Sequence, residues 1–321
     1  MALRACIISK IKLIPCDNTI FRLSSLDYRF ALIPNADLGH ANVNFVTTLG
    51  LCICHLSSMI KTRAIVLHRF PYSDSSFIVK ALTEESGIVS FIVKGGKKKE
   101  SPFRGALDPL ALSEVVFRQN PNTDLQFIKE ATLLDWRKNL RNDLLSTAKA
   151  QVMTEMILRY APQGVPLQEE FERLEQAIRE FDSDSPQDSP TPEGSAHSST
   201  SSVPDKSRIF AEWLLDTCDM WGYNLDLTTC SRCGRTLEKP AADFFPETGG
   251  FVCQACLGVE HPRARLETLN GLWALQTGGK IEHPEFTENA LLTYLRHHIG
   301  FLKEIHSIKF LNETRKLFDY H

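Results

Sequence analysis

Two pairs of cysteines in the second half of the chain have the type and spacing of metal ligands. Cys230 and Cys233 form one Cys-x-x-Cys pair, Cys253 and Cys256 form another, and nineteen residues separate the pairs. One backbone turn can present both sulfurs of a pair to one ion, and Gly234 can adopt the left-handed conformation that this turn favours. The spacing fits a four-thiolate zinc site. Because sulfur then fills all four tetrahedral positions, we expect one structural zinc ion rather than a catalytic one.

Iron and disulfides are the alternatives to zinc at these cysteines. Iron suits the same tetrahedral sulfur geometry. The chain has nine cysteines, an odd number, and its first ten residues lack the charged head, apolar core and cleavage site of a secretory signal. A reducing compartment is therefore expected, and paired cysteines there usually indicate metal rather than disulfides.

No catalytic motif accompanies the cysteines. The sequence has no Gly-x-Ser-x-Gly, no His-Glu-x-x-His and no dinucleotide-binding fingerprint. His297 and His298 are adjacent on a predicted helix, so they point about 100° apart and are poor joint ligands. Cys218 is predicted to be a small buried apolar side chain rather than a nucleophile. We therefore expect a protein that is not an enzyme.

A second candidate site is a basic loop, defined as residues 94–105. It carries five positive charges against the one negative charge of Glu100, and the cations are Lys94, Lys97, Lys98, Lys99 and Arg104. Glycines let the backbone approach a phosphate chain, and a lysine cluster releases counterions on binding it. The Gly-Lys-Ser/Thr spacing of a nucleotide-binding P-loop is missing. A merely solvated loop is the alternative to a nucleic-acid contact.

Charge is unevenly distributed along the chain, although the net charge is only −3. Residues 60–138 contain thirteen Lys or Arg and nine Asp or Glu, a net charge of +4, whereas residues 167–194 contain nine acidic and two basic residues. Clustering rather than net charge decides affinity for a polyanion. This asymmetry favours nucleic acid as a partner of the first region.

Short strands are predicted around the basic loop and helices beyond it. Five β-branched segments bounded by turns predict a small barrel or sandwich, and they are Thr62–Leu67, Ser76–Thr83, Ile88–Lys94, Leu110–Phe117 and Leu125–Leu134. The basic loop joins the third and fourth strands. Apolar residues then recur at helical spacing. The predicted helices cover 144–160, 167–181, 207–222, 266–276, 285–300 and 308–320.

Two segments differ from this pattern. Residues 1–58 contain no Glu, three Asp and five Lys or Arg, which indicates either an acid-poor targeting peptide or an over-long start assignment. We favour the second, with Met59 as the initiator, because a strand begins at Ile60. Residues 183–204 are mostly Ser, Pro, Asp, Thr and Gly, so a disordered insert is predicted. The longest apolar run is interrupted by polar residues, and no membrane span is expected.

The order of these parts resembles the RecO family of bacterial recombination and repair mediators. In the first half the resemblance is carried by Met59-Ile60-Lys61-Thr62-Arg63-Ala64-Ile65-Val66-Leu67, Tyr72-Ser73-Asp74-Ser75-Ser76 and Phe103-Arg104-Gly105-Ala106-Leu107-Asp108-Pro109. In the second half it is carried by Gly222-Tyr223-Asn224-Leu225 and by Cys230 and Cys233-Gly234. It covers nearly everything from Met59 to about Phe318.

The resemblance implies an α+β multidomain protein. Its N-terminal OB-fold β-barrel would occupy residues 59–138, and its α-helical domain 139–182, 205–225 and 263–321. A four-cysteine zinc ribbon at 226–262 would be inserted among the helices. Residues 1–58 have no counterpart in the family pattern.

The resemblance also implies a function without catalytic turnover. Its members bind single- and double-stranded DNA, anneal complementary strands, and with RecR help load RecA onto DNA coated by single-stranded-DNA-binding protein. They also bind the acidic C-terminal tail of that protein, for which we expect an apolar groove rimmed by Lys or Arg. A cytoplasmic, nucleoid-associated location follows. A zinc-ribbon protein-interaction adaptor without annealing activity is the alternative, and a zinc-ribbon transcription or RNA-processing factor is a third reading.

Site residues are carried over by position. The implied DNA contacts are Arg63, Lys94, Lys97, Lys98, Lys99 and Arg104. The implied metal ligands are Cys230, Cys233, Cys253 and Cys256. The residues of the tail-binding groove are not assigned by the sequence.

Overall fold

The predicted strands form a closed five-stranded barrel in the computed structural model, which describes residues 59–183, 205–299 and 305–319. The strands are β1 Met59–Pro71, β2 Phe77–Thr83, β3 Gly87–Val93, β4 Leu112–Arg118 and β5 Leu125–Asp135. Their order is β1-β2-β3-β5-β4, with β3 and β5 parallel and the other neighbours antiparallel. The sequence left barrel and sandwich open, and the closed order shows an OB-like barrel.

Alternating apolar side chains fill the barrel. Phe91 and Phe117 pack edge to face with their ring centroids 5.1 Å apart, in a core that also contains Val79, Val93 and Val115. Gly87, the first residue of β3, has φ +66, and a Cβ atom there would lie 2.0 Å from the carbonyl oxygen of Val165. Glycine is therefore required both by the backbone conformation and by the close approach of the helical region.

Helices follow the barrel, as the change of period predicts. In the described residues they are α1 Lys138–Asn142, α2 Leu144–Tyr160, α3 Gln168–Asp182, α4 Lys206–Met220, α5 Gln254–Leu257, α6 Leu266–Thr277, α7 Pro284–Ile299 and α8 His306–Asp319. A two-stranded hairpin, β6 Asp243–Phe245 and β7 Gly250–Val252, lies between α4 and α5. The short helices α1 and α5 are absent from the sequence prediction, because one turn shows no apolar periodicity.

The start of α2 is fixed by Asp143, whose side chain accepts hydrogen bonds from the backbone N–H groups of Leu145 and Ser146. This is the capping role in which aspartate is preferred. The apolar faces of the helices share one core, whose largest fully buried side chains include Phe171, Phe181 and Phe210. No helix among the described residues has the length and apolar character needed to cross a membrane.

Two carboxylates, the buried Glu288 and the half-buried Glu155, fix the last helix. Glu288 on α7 lies between Lys149 of α2, at 2.7 Å, and Arg315 of α8. Glu155 on α2 accepts the backbone N–H groups of His306 (3.2 Å) and Ser307 (2.9 Å) at the start of α8. A carboxylate placed there satisfies donors that no helical carbonyl can reach.

Predictions for residues 1–58 lie outside the described residues, and the assignment of Met59 as the initiator stays a prediction. The prediction of a disordered insert at 183–204 does so too, except for Ser183. The domain boundaries that follow from the resemblance stay predictions.

Candidate functional site

The four predicted ligands come together in the cysteine module, defined as residues 226–262. The sulfurs of Cys230, Cys233, Cys253 and Cys256 all lie within 4.8 Å of one another, and none of them is in a disulfide. Cys233 Sγ and Cys253 Sγ are 3.9 Å apart. A tetrahedral zinc ion with Zn–S bonds of about 2.3 Å requires S–S separations of about 3.8 Å. The sulfur cluster therefore fits one metal ion bound by four thiolates. The structure shows these four cysteines free rather than in the alternative disulfides.

Tight turns present the sulfurs. Gly234 at φ +68 donates its N–H to the carbonyl of Cys230 at 2.7 Å, which closes the first Cys-x-x-Cys turn. In the second turn, which begins α5, Cys256 donates to the carbonyl of Cys253 at 3.0 Å. The backbone N–H of Cys253 also lies 3.4 Å from the Cys230 sulfur. Such N–H groups stabilise a metal-binding thiolate.

The four sulfurs compete for protons when no cation lies between them. Burial acts to raise the pKa of Cys230, but N–H donors outweigh it and hold that pKa at about 6. The sulfurs of Cys233 and Cys253 raise the pKa of Cys256 to about 12. A metal ion would allow all four to be thiolates at once, since coordination deprotonates a thiol.

Asp243 ties the cysteine module to the helices. Its side chain is fully buried and accepts the backbone N–H groups of Phe244 at 2.9 Å, Arg263 at 3.0 Å and Ala264 at 2.8 Å. The Phe244 and Phe251 rings of the hairpin stack with centroids 4.6 Å apart. The sequence prediction missed Asp243, because its partners lie about twenty positions downstream.

The basic loop is anchored at one end of the barrel. Gly96 lies against the ring of Phe77, where a Cβ atom would come within 2.3 Å of the ring. The backbone N–H of Lys97 donates to Ser75 at 3.1 Å, and Lys97 Nζ donates to the carbonyl of Ser73 at 2.5 Å. Phe103 packs on the barrel core. The loop therefore has a defined backbone from which its cations project.

The cations of the basic loop have no carboxylate partner among the residues that the structure describes. All five are exposed, and they are Lys94, Lys97, Lys98, Lys99 and Arg104. Other barrel cations are paired: Lys61 with Glu114 at 2.8 Å and Arg69 with Asp108 at 2.7 Å. The loop is therefore a positive surface free to pair with an anion.

Arg63 lies away from the other predicted DNA contacts. Its guanidinium pairs with Glu84 through two hydrogen bonds of 2.6 and 2.9 Å and lies 5.4 Å from the ring centroid of Phe171 on α3. The basic loop is at the opposite end of β1, near Pro71, about 25 Å along a strand that rises about 3.3 Å per residue. The structure thus brings five of the six candidates together and places Arg63 at the junction with the helices.

Two exposed aromatic residues flank the basic loop. Phe127 on β5 is 57% exposed and Tyr72, directly after β1, is 58% exposed. Lys94 Nζ lies 5.1 Å from the centroid of the Phe127 ring. The sequence prediction singled out neither ring. The alternation of β5, in which Gln126 is buried, is the signal that could have placed Phe127 on the outer face.

An arginine-rimmed groove lies between the cysteine module and the helices. Its apolar lining consists of Phe244, Pro246, Ala264, Phe286 and Ala290. At its rim the guanidinium of Arg263 lies 5.1 Å from the ring of Phe245, and that of Arg265 lies 5.1 Å from the ring of Phe286. Glu247 is also part of the lining. This groove has the composition that the sequence analysis expects for an acidic, apolar-ended peptide.

The sequence analysis predicts no chemical role for Cys218, His297 and His298, and the structure shows the surroundings of each. Cys218 is completely buried, and burial raises its pKa to about 12. His297 is exposed and His298 is half-buried against the ring of Tyr294, with centroids 4.3 Å apart. The prediction that Cys218 is a small buried side chain is confirmed.

Two protein-family models match the chain. The model described as recombination protein O, N terminal, matches residues 58–137, which include the barrel, and the model described as recombination protein O, C terminal, matches residues 201–305. The first match includes the basic loop, and the second includes all four clustered cysteines.

Curated proteins with the name of this family align with most of the chain. A DNA repair protein RecO from Syntrophobacter fumaroxidans is 24% identical over 268 residues, which are 79% of this chain and 97% of the relative. Proteins of the same name from an Anaeromyxobacter strain and from Bacillus pumilus are 27% and 24% identical and cover 80% and 81% of this chain. These alignments cover 98% and 96% of the two relatives.

Proposed function

This chain belongs to the RecO family of DNA repair proteins, and we propose that it is a recombination mediator without catalytic turnover. It binds single- and double-stranded DNA, anneals complementary strands, and with RecR helps load RecA onto DNA coated by single-stranded-DNA-binding protein. The observation that carries this proposal is the basic loop, whose five exposed cations have no described carboxylate partner.

Annealing needs charge neutralisation rather than bond chemistry. Two DNA strands repel each other through their phosphates, and lysines that bind one strand release its counterions and lower that repulsion. Lys97, Lys98 and Lys99 are consecutive and exposed, so they can follow a phosphate chain rather than grip one phosphate. Duplex and single strands both present phosphates, which supports binding of both forms.

The test is annealing of two complementary strands by the full chain, without ATP. One strand carries a donor dye and the other an acceptor, so annealing is measured as energy transfer. We expect faster annealing with the protein and a rate that falls steeply with salt. An unchanged rate with folded protein would contradict the proposal and favour the adaptor alternative.

The metal of the cysteine module is proposed to be one zinc ion held by Cys230, Cys233, Cys253 and Cys256. Zinc would cross-link the two Cys-x-x-Cys turns and stabilise the small β6–β7 hairpin, which has little core of its own. The tetrahedral fit of the sulfurs supports this. Iron would fit the same ligands, and elemental analysis of purified protein decides between them.

The arginine-rimmed groove is the proposed site for the acidic C-terminal tail of single-stranded-DNA-binding protein. Charge complementarity supports this choice, because Arg263 and Arg265 form no ion pair with a described carboxylate, and five of the residues that line the groove are apolar. A fluorescent peptide with acidic residues and an apolar C-terminal end should bind the chain. Arg265→Glu should weaken that binding, and Lys309→Glu, at a residue that does not line the groove, should not. Equal binding by both variants would exclude the groove.

The same proposal places the protein in the bacterial cytoplasm, on the nucleoid. A basic surface for DNA and a groove for the DNA-bound partner support this location. Fluorescence microscopy of a tagged chain after DNA damage tests it, with nucleoid foci expected and a uniform cytoplasmic signal as the contrary result.

A further inference from the structure

We propose that Phe127 and Tyr72 are base-stacking residues that make the barrel prefer unpaired DNA over duplex. This inference rests on the proposed function, since it assumes that the basic loop contacts a nucleic-acid backbone. The loop cations would recognise the phosphates, and the two aromatic rings would recognise the faces of the bases.

Phe127 is an outward-facing ring on a well-fixed strand. The preceding residue, Gln126, is buried, and its side chain exchanges hydrogen bonds with the backbone of Asn120 and donates to Thr123 at 2.6 Å. The start of β5 is therefore held in place. A phenyl ring that is 57% exposed there contributes little to the core, and it leaves a large apolar face available to a ligand.

Lys94 extends this surface on the Phe127 side. Its ammonium group lies over the ring of Phe127, 5.1 Å from the ring centroid, at a cation–π distance. The Lys94 side chain is exposed, so a base that stacks on this face would displace the ammonium group toward the phosphate of the same nucleotide. A nucleotide stacked on Phe127 would thus have a cation next to its phosphate. Rings and cations paired in this way are how grooves bind single strands without sequence preference.

Tyr72 occupies the corresponding position on the other side of the basic loop. It is 58% exposed, in the turn between β1 and β2 that Tyr72 N–H closes by donating to Ser76 at 3.2 Å. Lys97 donates to the neighbouring Ser73 carbonyl. The loop thus fixes the turn that carries this second ring.

The barrel order sets the separation of the two rings. The β1–β2 turn and β5 lie on either side of the end of β3, so the rings are two to three strand spacings apart, about 10–14 Å. Bases in an intact duplex stack on their neighbours at about 3.4 Å per step, which closes their faces to the protein. Only an unpaired strand can open its bases onto two separated rings.

The test compares three DNA ligands of equal length. These are an oligo-dT strand, an abasic strand with the same phosphates, and a duplex. We expect Phe127→Leu to lose roughly ten-fold in affinity for oligo-dT, within the range for one base–aromatic contact, and to lose nothing for the other two. Tyr72→Leu should behave in the same way.

A matched control and a rescue variant accompany these substitutions. Phe318 on α8 is 56% exposed, so Phe318→Leu makes the same chemical change away from the loop and should leave all three affinities unchanged. Phe127→Trp keeps a stacking face and should keep the affinity for oligo-dT.

The outcomes separate this inference from the proposed function. Equal loss on all three DNA ligands, or no loss on oligo-dT, would overturn the stacking role while salt-dependent binding by the unaltered chain would leave the mediator proposal intact. No binding of any DNA by the unaltered chain would contradict both. Selective loss on oligo-dT with rescue by Phe127→Trp would support both.

Discussion

Lys149 and Glu288 form an ion pair at 2.7 Å inside the helical region, where the Lys149 side chain is 5% exposed and that of Glu288 is 0% exposed. Arg315 contacts the second oxygen of the same carboxylate. One buried anion therefore holds together α2, α7 and α8. Charges removed from water in this way are stable only while each has its partner.

Glu288→Gln is expected to destabilise the protein by about 3–5 kcal/mol, because it leaves two cations without their carboxylate in a buried position. Urea unfolding followed by circular dichroism measures this free energy. Glu313→Gln, at an exposed pair with Lys309, is the control and should cost less than about 1 kcal/mol. Equal losses for the two variants would show that the buried carboxylate has no special role.

Glu155→Gln is expected to weaken the cap of α8 and to change how stability depends on pH. Burial acts to raise the pKa of Glu155, but hydrogen bonds from Ser307, His306 and Arg159 outweigh burial and lower it. A lowered folded-state pKa means that the stabilisation is present above the unfolded pKa of about 4.3 and is lost as pH falls through the folded value.

The Glu155→Gln variant should therefore be less stable by about 1–2 kcal/mol at pH 7. The difference should shrink as the pH falls below about 4. Unfolding curves at pH 7, 5 and 3 check the sign of this effect. A difference that grows toward low pH would contradict the role of the carboxylate as a cap.

Cys253→Ser is expected to lower metal content and thermal stability more than it alters DNA affinity, because one lost thiolate removes much of the folding contribution of the metal. Metal content by elemental analysis and melting by calorimetry measure the two effects. Cys218→Ala, at a cysteine outside the cluster, should retain the metal. Full metal content and an unchanged melting temperature in Cys253→Ser would refute the four-thiolate site.

Replacing Lys97, Lys98 and Lys99 together by Ala should flatten the salt dependence of single-strand binding. The slope of log affinity against log salt should fall by up to about 0.7 for each lost phosphate contact, or about 2 in total. Lys61, Lys280 and Lys309 are also exposed, and their triple replacement by Ala is the matched control. An unchanged slope in the first variant would exclude the basic loop as the phosphate-binding element.

The structural features that the sequence predicts are those that depend on a local residue pattern. The five strands were found because alternation and turn residues are local signals, and the cysteine cluster because each Cys-x-x-Cys pair is closed by a single turn. The position of Arg63 depends instead on strand register, which places it beside Glu84 and Phe171. Sequence spacing carries no such information.

Contacts between distant segments were also missed. The partners of Glu288 lie on two other helices, α2 and α8. Two of the N–H groups that Asp243 accepts, those of Arg263 and Ala264, lie 20 and 21 positions downstream. Phe127 was assigned no role because an aromatic residue in a strand is usually a core residue. Tyr72 was named only within the segment that carries the resemblance. Their exposure shows only in the folded barrel.

We propose that the basic loop makes this chain a DNA-annealing mediator. The most direct measurement is the annealing rate of two complementary strands coated with single-stranded-DNA-binding protein, without ATP. We compare the unaltered chain, the Lys97, Lys98 and Lys99 triple Ala variant, and the Lys61, Lys280 and Lys309 control. We expect the unaltered chain and the control to accelerate annealing, and the loop variant to have a much smaller effect. No acceleration by the folded, metal-loaded chain, or equal acceleration by all three, would contradict it.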